Sequence, residues 1–318
     1  MTVRQPLLAA TLVAYLVACA GDGAAVAPPS PAATAEAARP ARPSGAATTR
    51  RPAPIPTAAP ATPTVRSTTP ATPATATTPA TATAARPAWL GTRVLPLRPD
   101  GFGEVLDTPP ELTDRRLPPP APEPLPPPDG EAFASTVEPV PDDVAARSTW
   151  STGCPVPLDE LRYVTVTFWG FDDRPHTGEL LVNAGVADDL VEVFRRLHAA
   201  RFPIEEMRVI AADELALPPT GDGNVTTAFV CRPARGTTTW SQHAFGLAVD
   251  INPFHNPYAK NDLVLPELAS AYLDRDRQLP GMIAPGGVVT DAFAPIGWGW
   301  GGEWSGLSDW MHFSATGR

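Results

Sequence analysis

The sequence predicts an α+β fold for the second half of the chain, and three observations predict it. Prolines crowd the first half, where 29 of the 42 precede residue 147. Residues 25–87 are almost wholly Ala, Pro, Thr, Ser and Arg, too poor in large apolar side chains to offset the entropy of ordering. Beyond residue 147, β-branched runs and one amphipathic helix follow each other without the strict strand–helix–strand rhythm of a parallel sheet. The 318 residues are therefore expected to hold one core, residues 147–318, rather than the two domains their length would allow.

Residues 1–18 read as a targeting segment. Arg4 supplies a short positive region, and Leu7 to Val17 form an apolar run too short to span a bilayer. Leu16-Val17-Ala18-Cys19 resembles the bacterial lipobox, which implies cleavage before Cys19 and a lipid on that cysteine. The other reading is a plain secretory signal; either way the mature chain is expected outside the cytoplasm. Residues 19–87 then form a disordered tether, with an extended upper reach on the order of 200 Å. Residues 88–146 differ in kind. Trp89, Leu90, Val94, Leu95, Phe102 and Val105 would let a Pro-rich extended arm dock on the core, interrupted by the run from Leu117 to Pro128.

In the core, Leu161 to Phe168 alternates β-branched and aromatic residues and predicts a strand, and Gly178 to Asn183 predicts a second. Val186, Leu190, Val193, Phe194 and Leu197 recur at helical spacing over 186–200, with Asp188 and Asp189 early and Arg195 and Arg196 late, matching the helix dipole. Met207 to Ile210 predicts another strand, and Pro266 through Tyr272 a further helix. Gly246 to Ile251 predicts a strand with Leu247, Val249 and Ile251 on one face and Ala248 and Asp250 on the other.

That last strand carries the chemistry. His243 lies in the turn before it, and His312 arrives much later, three residues after Asp309. Two histidines and an aspartate are the ligand set of a catalytic zinc, with a fourth position left for water. Asp309 would serve as the base on that water. In a strand, residues three apart face opposite sides, so Asp309 and His312 converge only through a turn or helical geometry. A charge of −10, with 13 Lys/Arg against 21 Asp/Glu in the core, argues against a nucleic-acid partner.

The pattern Ser241-x-His243-x-x-Gly246-x-Ala248-x-Asp250, answered by Asp309-Trp310-Met311-His312, resembles the zinc D-alanyl-D-alanine carboxypeptidase family. The surrounding text is similar as well: Phe229-Val230-Cys231-Arg232, Ile251-Asn252-Pro253, Asn256-Pro257-Tyr258 and Gly297-Trp298-Gly299-Trp300-Gly301-Gly302. The likeness covers about residues 150–316 and looks most like the L-alanyl-D-glutamate endopeptidase branch. It implies a hedgehog/DD-peptidase-like single domain with a central antiparallel sheet flanked by helices. It also implies Zn2+ held by His243, Asp250 and His312, with Asp309 as general base and Arg232 steadying a substrate carbonyl or carboxylate. Ser241 would orient the ligand loop, and Trp310 would stand beside substrate or ligands. The substrate implied is a peptidoglycan stem peptide, cut at L-Ala-D-Glu or, alternatively, at D-Ala-D-Ala. A non-catalytic, zinc-stabilised wall-binding module is the rival of a different class.

Plainer roles stand beside these. Asp309 would otherwise only hydrogen-bond a histidine, Arg232 would be a surface ion-pair partner, and His176, His198 and His255 have no matching partners. Export places Cys154 and Cys231 in an oxidising compartment, where a disulfide is expected; the alternative is two buried thiols. The mature protein is expected to be a monomer, anchored to the membrane through Cys19.

Overall fold

The computed structural model describes residues 85–234 and 237–318. The segments expected to be a signal peptide (1–18), a lipidated Cys19 and a tether, up to residue 84, lie outside the described residues. Among the described residues no helix is long and apolar enough to cross a membrane.

The strands are β1 (Ser135–Pro139), β2 (Leu161–Trp169), β3 (Pro175–Asn183), β4 (Glu206–Met207), β5 (Val225–Thr226), β6 (Ala248–Asp250), β7 (Tyr258–Lys260), β8 (Leu263–Leu265), β9 (Gly299–Trp300), β10 (Ser308–Asp309) and β11 (His312–Ser314). The α-helices are α1 (Asp142–Arg147), α2 (Ala187–Ala199) and α3 (Val288–Phe293). The α+β class holds. The strands, however, divide among small sheets instead of gathering into one central sheet: antiparallel β1-β2-β3, β10-β7-β8 and β6-β11-β9, with a parallel β4-β5 pair. All eight strands after β3 are two or three residues long, too short to bridge the separate sheets.

The predicted strand from Leu161 runs to Trp169 and pairs over its whole length with β3. Helix α2 lays Leu190, Val193, Phe194 and Leu197, all at most 1% exposed, into the main core with Val164, Val166, Val182, Val249 and Phe313. The expected strand from Met207 shrinks to Glu206–Met207. The helix expected over 266–272 is not formed; the segment holds turns and a 3-10 turn, Ser270–Leu273. Leu268 spends its N–H on the Gly221 carbonyl and Glu267 gives its carbonyl to Leu106, so those groups are committed outside any helix.

The arm is docked. Leu95, Leu112 and Leu117 are buried against Phe254, Val264, Leu268 and Tyr272, a second core built between the arm and the segment after β6. Arg115 donates from Nε and Nη2 to both carboxylate oxygens of Glu205 at 2.7 and 2.8 Å, and Arg86 donates to the same carboxylate at 3.0 Å. Glu205 is fully enclosed. Burial alone would push its carboxyl up, yet the Arg115 charge and hydrogen bonds, joined by Arg86, hold it below the usual range. The same stretch supplies β1 as the edge strand on β2. A disulfide joins Cys154 to Cys231 with Cα atoms 5.8 Å apart, tying the start of the core to the segment beside the candidate site.

Candidate metal centre

His243 sits in a 3-10 turn, Gln242–Phe245, and is buried. Ser241 caps that turn: its Oγ accepts from the His243 N–H at 3.4 Å. Gly246 closes it at φ +67, a left-handed conformation that L side chains adopt only with strain. It also passes so close to β3 that a Cβ there would lie 2.5 Å from the Asn183 nitrogen. The chain thus reverses and enters β6 at once.

Asp250 ends β6 and is held from both sides. Its N–H donates to the Thr227 carbonyl at 2.9 Å, and Thr227 returns a bond at 3.1 Å. Across the other edge its register partner in β11 is His312. Val249 and Ile251 are fully buried in the core, so the alternation of the strand turns Asp250 the opposite way. Trp310 and Met311 form the turn between β10 and β11 that brings Asp309 and His312 together. Trp310 is fixed there by its N–H to the Pro257 carbonyl, by its own carbonyl accepting from Trp300 Nε1 at 2.8 Å, and by the Arg275 guanidinium 4.8 Å from its ring.

The three side chains converge. His243 Nε2 lies 3.2 Å from His312 Nδ1 and 3.2 Å from Asp250 Oδ1, and His312 Nδ1 lies 3.1 Å from the same oxygen. His243 Nδ1 donates to the Ala228 carbonyl at 2.5 Å, which leaves Nε2 of a neutral ring with a lone pair. Two facing acceptors, Nε2 and the carboxylate, then share no proton, and a cation is the group that satisfies them. Zinc held at about 2.0–2.1 Å by tetrahedral ligands spaces them about 3.3 Å apart, close to what is found here. His243, Asp250 and His312 are the metal-capable cluster among the described residues. The donor set fits Zn2+.

Asp309 stands beside this cluster with a buried Oδ1 that has no hydrogen-bond partner among the described residues; His312 Nε2 is in the same condition. Burial, then the negative charge of Asp250, pushes the Asp309 carboxyl up to about 7, while His312 and Arg232 pull the other way. Burial works against ionised Asp250 too, but the two histidines packed against it hold its carboxyl well below the usual range. Arg232 lies beside the antiparallel Pro233–Trp240 bridge. There its carbonyl accepts from the Ser241 N–H at 3.3 Å, and its Nη1 donates to the Pro233 carbonyl. Its charge reaches Asp309.

The structure therefore brings His243, Asp250 and His312 together, with Asp309 beside them, Arg232 within reach of Asp309 by its charge, and Ser241 capping the His243 turn. Trp310 acts on the turn that joins two of them. His176, His198 and His255 lie elsewhere: His176 bridges Asp172 and Glu123, and His255 is enclosed between Asn224 and the Arg115 carbonyl. Three contributors escape sequence reasoning. The Ala228 carbonyl has no residue-type signal at all. Gly301 packs on Asp309, and Tyr258 pairs with it; both sit in motifs whose flanking text was legible and whose contacts were not.

An α+β domain with a His–Asp–His cluster and an adjacent unpartnered carboxylate defines a metallohydrolase class of site. Residues 235–315, which hold all three candidate ligands and Asp309, match the D-alanyl-D-alanine carboxypeptidase family. Over this segment the chain is similar to that zinc peptidase family; Arg232 falls just ahead of the match. No curated protein and no solved structure matches the chain significantly.

Proposed function

We propose that the chain is an exported zinc peptidase with a hedgehog/DD-peptidase-like domain that hydrolyses a peptide bond in peptidoglycan stem peptides, in the manner of L-Ala-D-Glu endopeptidases. The observation that carries this reading is the pairing of a preformed three-ligand cluster with the unpartnered carboxyl of Asp309. A binding module has no use for that carboxyl, whose burial is costly without chemistry to perform.

Bound zinc supplies a Lewis acid that lowers the pKa of its water to roughly 7. His243 presents Nε2 because Ala228 holds the proton on Nδ1, and Asp250 is kept ionised. Asp309 takes a proton at its carboxylate and returns it to the leaving amine. Arg232 offsets negative charge gathering on the attacked carbonyl oxygen. Lipidation at Cys19 would hold the enzyme at the membrane, with the Pro-rich segment reaching the wall.

The D-Ala-D-Ala carboxypeptidase reading is favoured by one observation, the description of the matching family. Both readings are separated by mass spectrometry of the full chain, zinc-loaded, with defined stem peptides and intact muropeptides and a chelated control. Chelator-sensitive release of L-Ala from the stem supports the endopeptidase, and loss of a terminal D-Ala supports the carboxypeptidase. Asp309→Ala is expected to keep zinc and lose hydrolysis; unchanged hydrolysis removes Asp309 as the base.

A further inference from the structure

Tyr258 is the register partner of Asp309 across the β10–β7 pair. Directly opposed residues of an antiparallel pair present their side chains on the same face, with Cβ atoms about 4.5–5.5 Å apart. Asp309 faces the metal cluster, so Tyr258 stands on the cluster's side of this sheet, one strand further out. Strand β7 is the middle strand of β10-β7-β8, paired on its other edge through Leu265, so the position of Tyr258 is fixed from both sides.

The ring is half-buried, yet its hydroxyl is neither enclosed nor hydrogen-bonded to any described residue. A phenol held by its ring with its hydroxyl left accessible is free to meet a group that enters the site. Burial, then the nearby Asp309 charge, raises the Tyr258 pKa, so the phenol keeps its proton across the neutral range. A protonated phenol beside a carboxylate that works as a base is a hydrogen-bond donor, and the acceptors a peptide brings to such a site are its carbonyl oxygens.

We propose that Tyr258 is a further catalytic residue of this centre, donating a hydrogen bond from its hydroxyl to the scissile carbonyl oxygen of the bound peptide as that oxygen gains negative charge. No proton is transferred; the hydrogen bond strengthens as the carbonyl becomes tetrahedral and relaxes when the leaving amine departs. Tyr258 and Arg232 then act on one oxygen from different elements, the β7 strand and the segment just before the Pro233–Trp240 bridge. The assignment rests on the peptidase reading above.

The test compares full-length wild type with Tyr258→Phe, which keeps the ring and its packing. Three measurements are made: zinc content, kcat and KM on the cleaved muropeptide, and affinity for a phosphinate analogue of the scissile bond by calorimetry. The expected result is unchanged zinc and KM within about threefold, with kcat lower by about 10–100-fold and phosphinate affinity lower by a similar factor. A kcat within twofold of wild type, or a change confined to KM, overturns the assignment. Wild type that neither cleaves nor binds the phosphinate overturns the peptidase reading, and Tyr258 with it. Active wild type beside an equally active Tyr258→Phe overturns the tyrosine alone.

Discussion

Gly301 lies against Asp309 so closely that a single added carbon would sit 2.5 Å from the Asp309 carbonyl oxygen and 2.8 Å from its Cβ. The glycine belongs to the 3-10 turn Gly301–Glu303 that packs on β10, and the absence of a side chain is what lets that strand approach. Gly301→Ala is expected to push Asp309 away from the cluster while leaving the three ligands in place. Displacements near 1 Å cost on the order of 100-fold in rate, so kcat should fall by at least tenfold with zinc stoichiometry unchanged. Steady-state kinetics beside metal analysis reads this directly, and full activity would show that the strand yields without moving the carboxyl.

Removing a ligand should act on metal and stability together. Anything that binds only the folded chain stabilises it by mass action. Zinc is expected to raise the melting temperature of the wild type, and chelation to reverse the rise. In His312→Ala the zinc-induced shift should vanish and zinc content should drop well below one per chain. A variant that still takes up one zinc tightly would show that Asp250 and His243 suffice.

The second core predicts its own response. Arg115 is 2% and Glu205 1% exposed at the side chain, and Glu205 loses its bidentate partner in Arg115→Ala. Breaking a buried pair from one side leaves a charge uncompensated, which costs about 3–5 kcal/mol. Chemical denaturation should report a loss of this order, and removing residues up to 118 from the chain should be worse. A midpoint unchanged by Arg115→Ala would mean that Arg86 alone holds the carboxylate.

Acid should destabilise the protein in two stages. His255 is fully buried, and burial lowers its pKa from 6.5 to about 4. Between those values the unfolded chain binds a proton that the folded chain refuses, so stability is whole above pH 6.5 and declines by up to about 3 kcal/mol as pH falls to 4. Glu205, held below its ordinary 4.5, adds a further loss as pH falls below that value. Melting temperatures from pH 7.5 to 3.5 should show both slopes. His255→Gln, which cannot titrate, should lack the first; an unaltered profile in that variant would assign the slope elsewhere.

Much of the site was legible in the chain. The spacing of His243, Gly246 and Asp250 names a ligand turn running into a half-buried strand, because period-two alternation and the need for glycine at positive φ are local rules. The long strand from Leu161 and the helix over 187–199 were legible for the same reason: their apolar residues repeat with the period of the element they form. The expected helix over 266–272 was misread because its backbone groups are engaged by Leu106 and Gly221, partners that no window of neighbouring residues contains.

The sequence by itself determined the residue types of the candidate ligands and the α+β class. Only the tertiary structure decided that a two-residue turn at Trp310 and Met311 brings Asp309 to His312, that Ala228 selects the His243 tautomer, and that the arm completes the molecule through Arg115 and Glu205. Each of these joins residues far apart in the chain through backbone groups or close approach. Such contacts carry no periodicity and no residue-type signature, so they exist only once the chain has packed.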